Sequence, residues 1–167
     1  WSRFVKWKGG VQQYDVYRKK DEVSGFELLL STTDTFYVDK NLDVTGGAFT
    51  YVIKAVEGPG SAGALSYSNR LELVQTPLVT IPNAFTPNDD GVNETWKPVV
   101  IFVKDYSLAV FNRWGQRVFD SKNETESWDG KLKGKECLQG TYIYELKFSG
   151  YDKPDKFTKT GILTLIR

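Results

Sequence analysis

Thr141–Gly150 reads TYIYELKFSG, and it decides the fold because its apolar residues recur every second position. Tyr142, Tyr144, Leu146 and Phe148 share one face of an extended chain, and Thr141, Glu145, Lys147 and Ser149 share the other. A period of two belongs to a strand with one face on a core and one in water. Ile143 breaks the pattern, an apolar residue on the otherwise polar face. The same period governs the rest of the chain, and long segments of period 3.6 are absent. In QQYDVYRKK, Tyr14, Val16 and Arg18 alternate with Asp15, Tyr17 and Lys19. In FTYVIKAVEG, Phe49, Tyr51, Ile53 and Ala55 share a face opposite Val52 and Val56.

Further strands are expected around these. FELLLS and TFYVD lie between the two tyrosine-rich segments, and LSYSNRLELV follows them. YSLAVFNRWGQRVFDS predicts two strands, residues 106–111 and 116–120, joined by a tight turn in which Gly115 supplies a positive φ and Trp114 sits at the bend. GILTLIR carries Leu163 and Leu165 on one side and Ile162 and Ile166 on the other, which predicts a strand enclosed on both faces. The class is therefore all-β: two tandem β-sandwiches of Ig-like or fibronectin type III-like kind, residues 1–76 and 77–167, parting at Thr76-Pro77.

Composition narrows the function. Hydrophobic residues make up 40% and aromatics 14%, enough apolar area for packed cores. Lys and Arg number 22 against 21 Asp and Glu, so the broad positive field that nucleic acid or an anionic membrane requires is missing. Neither DNA binding nor direct membrane insertion is expected, since no apolar run reaches membrane length. The single cysteine, Cys137, excludes an intrachain disulfide framework. The chain begins without Met and reads as part of a larger protein, with Arg167 expected as its natural end.

Histidine is absent, which removes the commonest general base. Cys137 has no imidazole to activate it, and no serine sits in a G-x-S-x-G elbow. Carboxylates such as Asp89, Asp90, Glu94 and Asp129 remain, but a small sandwich offers little room for a walled cleft, so no enzyme is expected. The acidic loop NDDGVNE leaves two readings open. Asn88, Asp90, the Val92 carbonyl and Glu94 recur every second residue, as oxygens wrapped around calcium do, yet Gly91 falls too early for the EF-hand pattern and no acidic residue closes it. The alternative is a turn in which Asn88 and Asp90 bond their own backbone. Trp128, beside the Asp129-Gly130 turn, is expected to plug the core.

The succession IPNAFTPNDDGVNETWKP, FNRWGQRVF, WDG, GTYIYELKF and GILTLIR closely resembles the type B C-terminal domain of Bacteroidetes proteins, the gliding motility-associated C-terminal domain. The resemblance covers residues 77–167. It implies a C-terminal signal that sends a larger cargo through the type IX secretion system, by way of the periplasm and outer membrane, to the cell surface or the medium. Family members include motility adhesins and secreted enzymes, and the implied partners are the translocon and an outer-membrane protein of the PorP/SprF kind. This chain departs from the family at Asp89, where glycine is commoner, and at Glu94, where aspartate is. The resemblance also adds weight to calcium at Asn88, Asp90, Val92 and Glu94. Residues 1–76 more loosely resemble a fibronectin type III-like module lacking its first strand.

A signal of this kind has to be legible on the folded surface. Arg113 and Arg117 are expected to supply charge-assisted bonds, Trp114 an aromatic anchor, and Ile162, Leu163 and Arg167 the edge or end that is engaged. The competing function is a carbohydrate-binding or adhesive module whose exposed aromatics grip sugar rings.

Overall fold

A computed structural model describes residues 1–20, 23–60, 62–151 and 156–167. It is all-β and divides into two compact units, Trp1–Val74 and Gln75–Arg167. No helix among the described residues is long and apolar enough to cross a membrane.

The first unit holds β1 (Val11–Lys19), β2 (Glu27–Thr32), β3 (Ala48–Glu57), β4 (Leu65–Tyr67) and β5 (Leu71–Val74). They form one sheet in the order β2-β1-β3-β4, with β5 also on β3. The period-two reading sets its faces: Tyr14 stands opposite Ala55 and Val16 opposite Ile53. Tyr14, Val16, Phe49 and Ala55 are buried. LSYSNRLELV is not one strand, because the backbone and hydroxyl of Ser68 bond Ile53 between β4 and β5. TFYVD forms no strand either. That segment is instead tied to the sheet by side chains, Asp39 taking a 2.8 Å bond from Arg18 and another of 2.8 Å from Tyr51.

On the opposite face Lys54 pairs with Asp15 at 2.6 Å, and Ser31 and Gln13 also donate to Asp15. Burial pushes the Asp15 carboxyl up, but the bonds from Lys54, Ser31 and Gln13 outweigh it and hold the group below the usual carboxylate range. A charge removed from water persists here because it is paired and hydrogen-bonded.

The second unit continues with β6 (Leu78–Thr80), β7 (Ala84–Phe85), β8 (Val99–Ile101), β9 (Asp105–Phe111), β10 (Arg117–Ser121), β11 (Lys131–Leu132), β12 (Lys135–Glu136), β13 (Gly140–Ser149) and β14 (Lys156–Leu165). Its main sheet runs β10-β9-β13-β14-β7, and β6 with β8 and β11 with β12 form two smaller ribbons. Tyr106, Leu108, Val110, Tyr142, Leu146, Phe148, Leu163 and Leu165 cover the inner face. Val79 of β6, Val100 of β8 and Leu132 of β11 pack against that core from the second layer.

Trp96 and Trp128 close the layers. Their backbones exchange two 2.8 Å hydrogen bonds, and both residues are 1% exposed. Each ring nitrogen finds a carbonyl, Trp96 that of Pro82 at 2.7 Å and Trp128 that of Lys131 at 3.0 Å. Trp128 touches Phe85 and Tyr142, and Trp96 touches Tyr144. The plug expected at Trp128 is thus a pair, and burying both indole N–H groups is tolerable only because each is bonded.

The last strand differs from the expectation. Leu163 and Leu165 are 0% and 1% exposed, whereas Ile162 is 66% and Ile166 45% exposed. β14 is enclosed on one face only, because nothing among the described residues forms a layer over the outer side of the sheet.

Candidate functional site: the outer face of the main sheet

Register across four strands builds one transverse row. Arg117 stands opposite Phe111, Phe111 opposite Ile143, and Ile143 opposite Ile162. Directly opposed residues put their side chains on the same face, so the row runs across the sheet's outer surface. Ile143 is 49% exposed. Phe111 is half-buried, and the Arg117 side chain is exposed at the end of the row.

The next row carries Asp120, Ala109, Glu145 and Thr160, and the row after it Ser107, Lys147 and Thr158. Two charge pairs neutralise themselves within these rows. Arg117 lies 3.6 Å from Asp120, and Lys147 lies 2.7 Å from Glu145. An apolar stripe bordered by internally neutralised pairs exerts little long-range pull, so a partner would be selected at close range by shape and apolar contact.

Just beyond Phe111 comes the β9–β10 turn. Asn112 organises it, its backbone N–H bonding the Gln116 carbonyl at 2.9 Å and its side-chain oxygen accepting from the amides of Trp114 and Gln116 at 3.0 Å each. Gly115 takes φ 77°, as the bend requires. These bonds fix the backbone while leaving the Trp114 ring in solvent, 70% exposed, with the Arg113 guanidinium 4.7 Å from its centre. Leu138, 65% exposed, lines the same shallow hollow of about 210 Å³ as Arg113 and Trp114.

Of the residues expected to form the recognised surface, the structure brings Arg113, Trp114, Arg117 and Ile162 to one exposed region. Leu163 does not belong there. It points inward from β14 and is fully buried, because consecutive residues of a strand face opposite ways. Arg167 is engaged elsewhere, its guanidinium donating to the carbonyls of Cys137 at 2.6 Å and Gly130 at 3.3 Å and lying 3.8 Å from Glu136. It staples the chain beyond β14 to the segment carrying β11 and β12. Phe111 and Ile143 were not among the expected contacts. For Ile143 the signal was present in the sequence as the break in alternation.

The loop at Asn88, Asp90, Val92 and Glu94 turns its oxygens onto itself. Asn88 accepts from the Asp90 amide at 3.3 Å and Asp90 from the Val92 amide at 2.8 Å. Glu94 takes the amides of Asp89 at 3.1 Å and Gly91 at 2.9 Å, one on each carboxylate oxygen. Asp89 and Asn93 adopt positive φ, which Asx side chains tolerate. No group of three or more His, Cys, Asp or Glu among the described residues is placed to hold a metal ion. The side-chain oxygens thus accept from the loop's own amides, as in an Asx-type turn.

Cys137 is half-buried, and burial pushes its thiol up, away from the reactive thiolate.

A family model described as the CHU_C type IX secretion signal domain matches residues 79–165, just over half of the chain and wholly inside the second unit. No curated relative matches the chain. The chain belongs to the type IX secretion signal domain family, a family of export signals and not of catalysts, which implies engagement with the secretion machinery and delivery to the cell surface or the medium.

Proposed function

We propose that the second unit is an export signal read as a folded surface, and that the surface read is the outer face of the main sheet together with the β9–β10 turn. The observation that carries this reading is the row Arg117, Phe111, Ile143 and Ile162, three apolar residues side by side across neighbouring strands and left partly or mostly in water. A sheet with one layer ordinarily keeps its wet face polar, and a continuous apolar stripe there marks a contact surface. Trp114 beside it supplies a large, rigid anchor of the kind that dominates docking energy, and Arg113 and Arg117 frame the stripe with donors suited to carboxylates. The chemistry needed for this recognition is docking and release.

The partners in this reading are outer-membrane components, the translocon and a protein of the PorP/SprF kind. The cargo is whatever the larger protein carries ahead of these residues. The experiment is to append the 167-residue chain to a periplasmically targeted fluorescent passenger in a bacterium with an active type IX system. Passenger at the surface or in the medium is the expected result, and it is lost when the translocon is deleted. A passenger that stays in the periplasm of the competent host overturns the reading.

A further inference from the structure

The main sheet also has an open edge. Ten residues of β14 pair with β13 without a bulge, from Lys156 opposite Ser149 to Leu165 opposite Gly140. On the other side β7 covers only Thr164 and Leu165. The direction of the uncovered groups follows from parity. The amides of Thr164 and Ile166 point away from β13, since they bond the carbonyls of Asn83 and Phe85 at 2.8 and 3.1 Å. Backbone groups alternate sides along a strand, so the N–H and C=O of Ile162, Thr160 and Thr158 point the same way. No backbone partner among the described residues meets them there.

The side chains along this edge define what fits. Outward lie Thr158, Thr160 and Ile162, continuing the exposed stripe. Inward lie Phe157, 45% exposed and stacked on Phe148, and then Lys159. Lys147 is neutralised by Glu145, but Lys156 and Lys159 have no ion pair among the described residues. Lys156, on the outward side with Thr158, adds to the repulsion of a second copy of the same edge, and Lys159, on the inward side, attracts carboxylates.

We infer that the β14 edge from Lys156 to Ile162 is an acceptor site for an extended, acidic peptide strand of a partner protein, added to the sheet by backbone hydrogen bonds. The incoming strand presents β-branched or apolar side chains to Ile162 on one face and carboxylates to Lys159 on the other. The site lies on the edge, not the face, and its occupation does not depend on the export reading.

The test uses the whole chain and a short acetylated peptide alternating valine and glutamate. Backbone amide exchange followed by NMR is the decisive readout. Bound peptide should slow exchange at Thr158, Thr160 and Ile162 and leave Phe157, Lys159 and Gly161, already bonded to β13, unchanged. Thr160→Pro should weaken binding about tenfold or more with little change in melting temperature, because it deletes an outward N–H that the folded sheet does not use. Lys159→Glu should transfer the preference to a valine–lysine peptide. Absence of alternating protection at millimolar peptide, equal binding of the two peptides by the unaltered chain, or sedimentation showing that two copies pair through this edge would each overturn the inference.

Discussion

Replacing Ile143 and Ile162 together by threonine separates a contact surface from a structural one. Both are opposed residues in the outer row, and threonine keeps the β-branch that suits a strand. Ile162 is 66% and Ile143 49% exposed, so about a third of one residue and half of the other are removed from water. Full burial of an isoleucine is worth roughly 1.5–3 kcal/mol, and threonine retains part of the hydrocarbon, so the double change should cost about 1 kcal/mol. For a unit of this size that lowers the melting temperature by roughly 4–8 °C. Leu163→Ala, one residue away but fully buried, should instead cost about 2–5 kcal/mol. The assay pairs thermal melting of the purified chain with export of a tagged passenger. The double variant should stay folded at growth temperature and fail to be exported, whereas Leu163→Ala should fail by unfolding. A folded double variant exported at the normal rate would refute the assignment of the row as the recognised surface.

Three further outcomes are expected. Tyr106 is buried with a hydroxyl that has no partner, and burial, helped by Glu124, pushes its pKa up to about 12. Its folded value lies above the unfolded one, so the stability tied to the protonated phenol is fully present below about pH 10 and is lost as pH climbs through about 12. Tyr106→Phe should remove that limb in alkaline denaturation and raise neutral-pH stability by about 1 kcal/mol. Gly161→Ala should destabilise by about 1–3 kcal/mol in urea titration, since a Cβ there would lie 2.7 Å from Cζ of Tyr144. Millimolar calcium should leave the melting temperature unchanged, and Glu94→Gln, which keeps one acceptor for two amides, should lower stability by about 1 kcal/mol.

Much of the fold was legible because a strand's period is short enough to be written out in full. Tyr142, Leu146 and Phe148 declare a core face within one segment, and the Asn112 to Gln116 turn is announced by its own residues. A segment without that pattern misled. TFYVD has strand composition, but its place is set by Asp39 meeting Arg18 and Tyr51, contacts remote in sequence. The loop at Asn88 to Glu94 has a spacing that suits a chelator or a turn alike, and it is the path of the chain that brings its oxygens onto neighbouring amides.

The sequence alone determined the all-β class, the inward face of β13 and the burial of Trp128, because each rests on local periodicity or on the size of one side chain. Tertiary structure decided which apolar residues remain in water. Ile162 and Leu163 are equally hydrophobic neighbours, and nothing local says that a second layer lies on one side of β14 and not the other. Only the pairing of β10, β9, β13 and β14 lines up Arg117, Phe111, Ile143 and Ile162, since register between distant strands is set by the packing of whole inner faces.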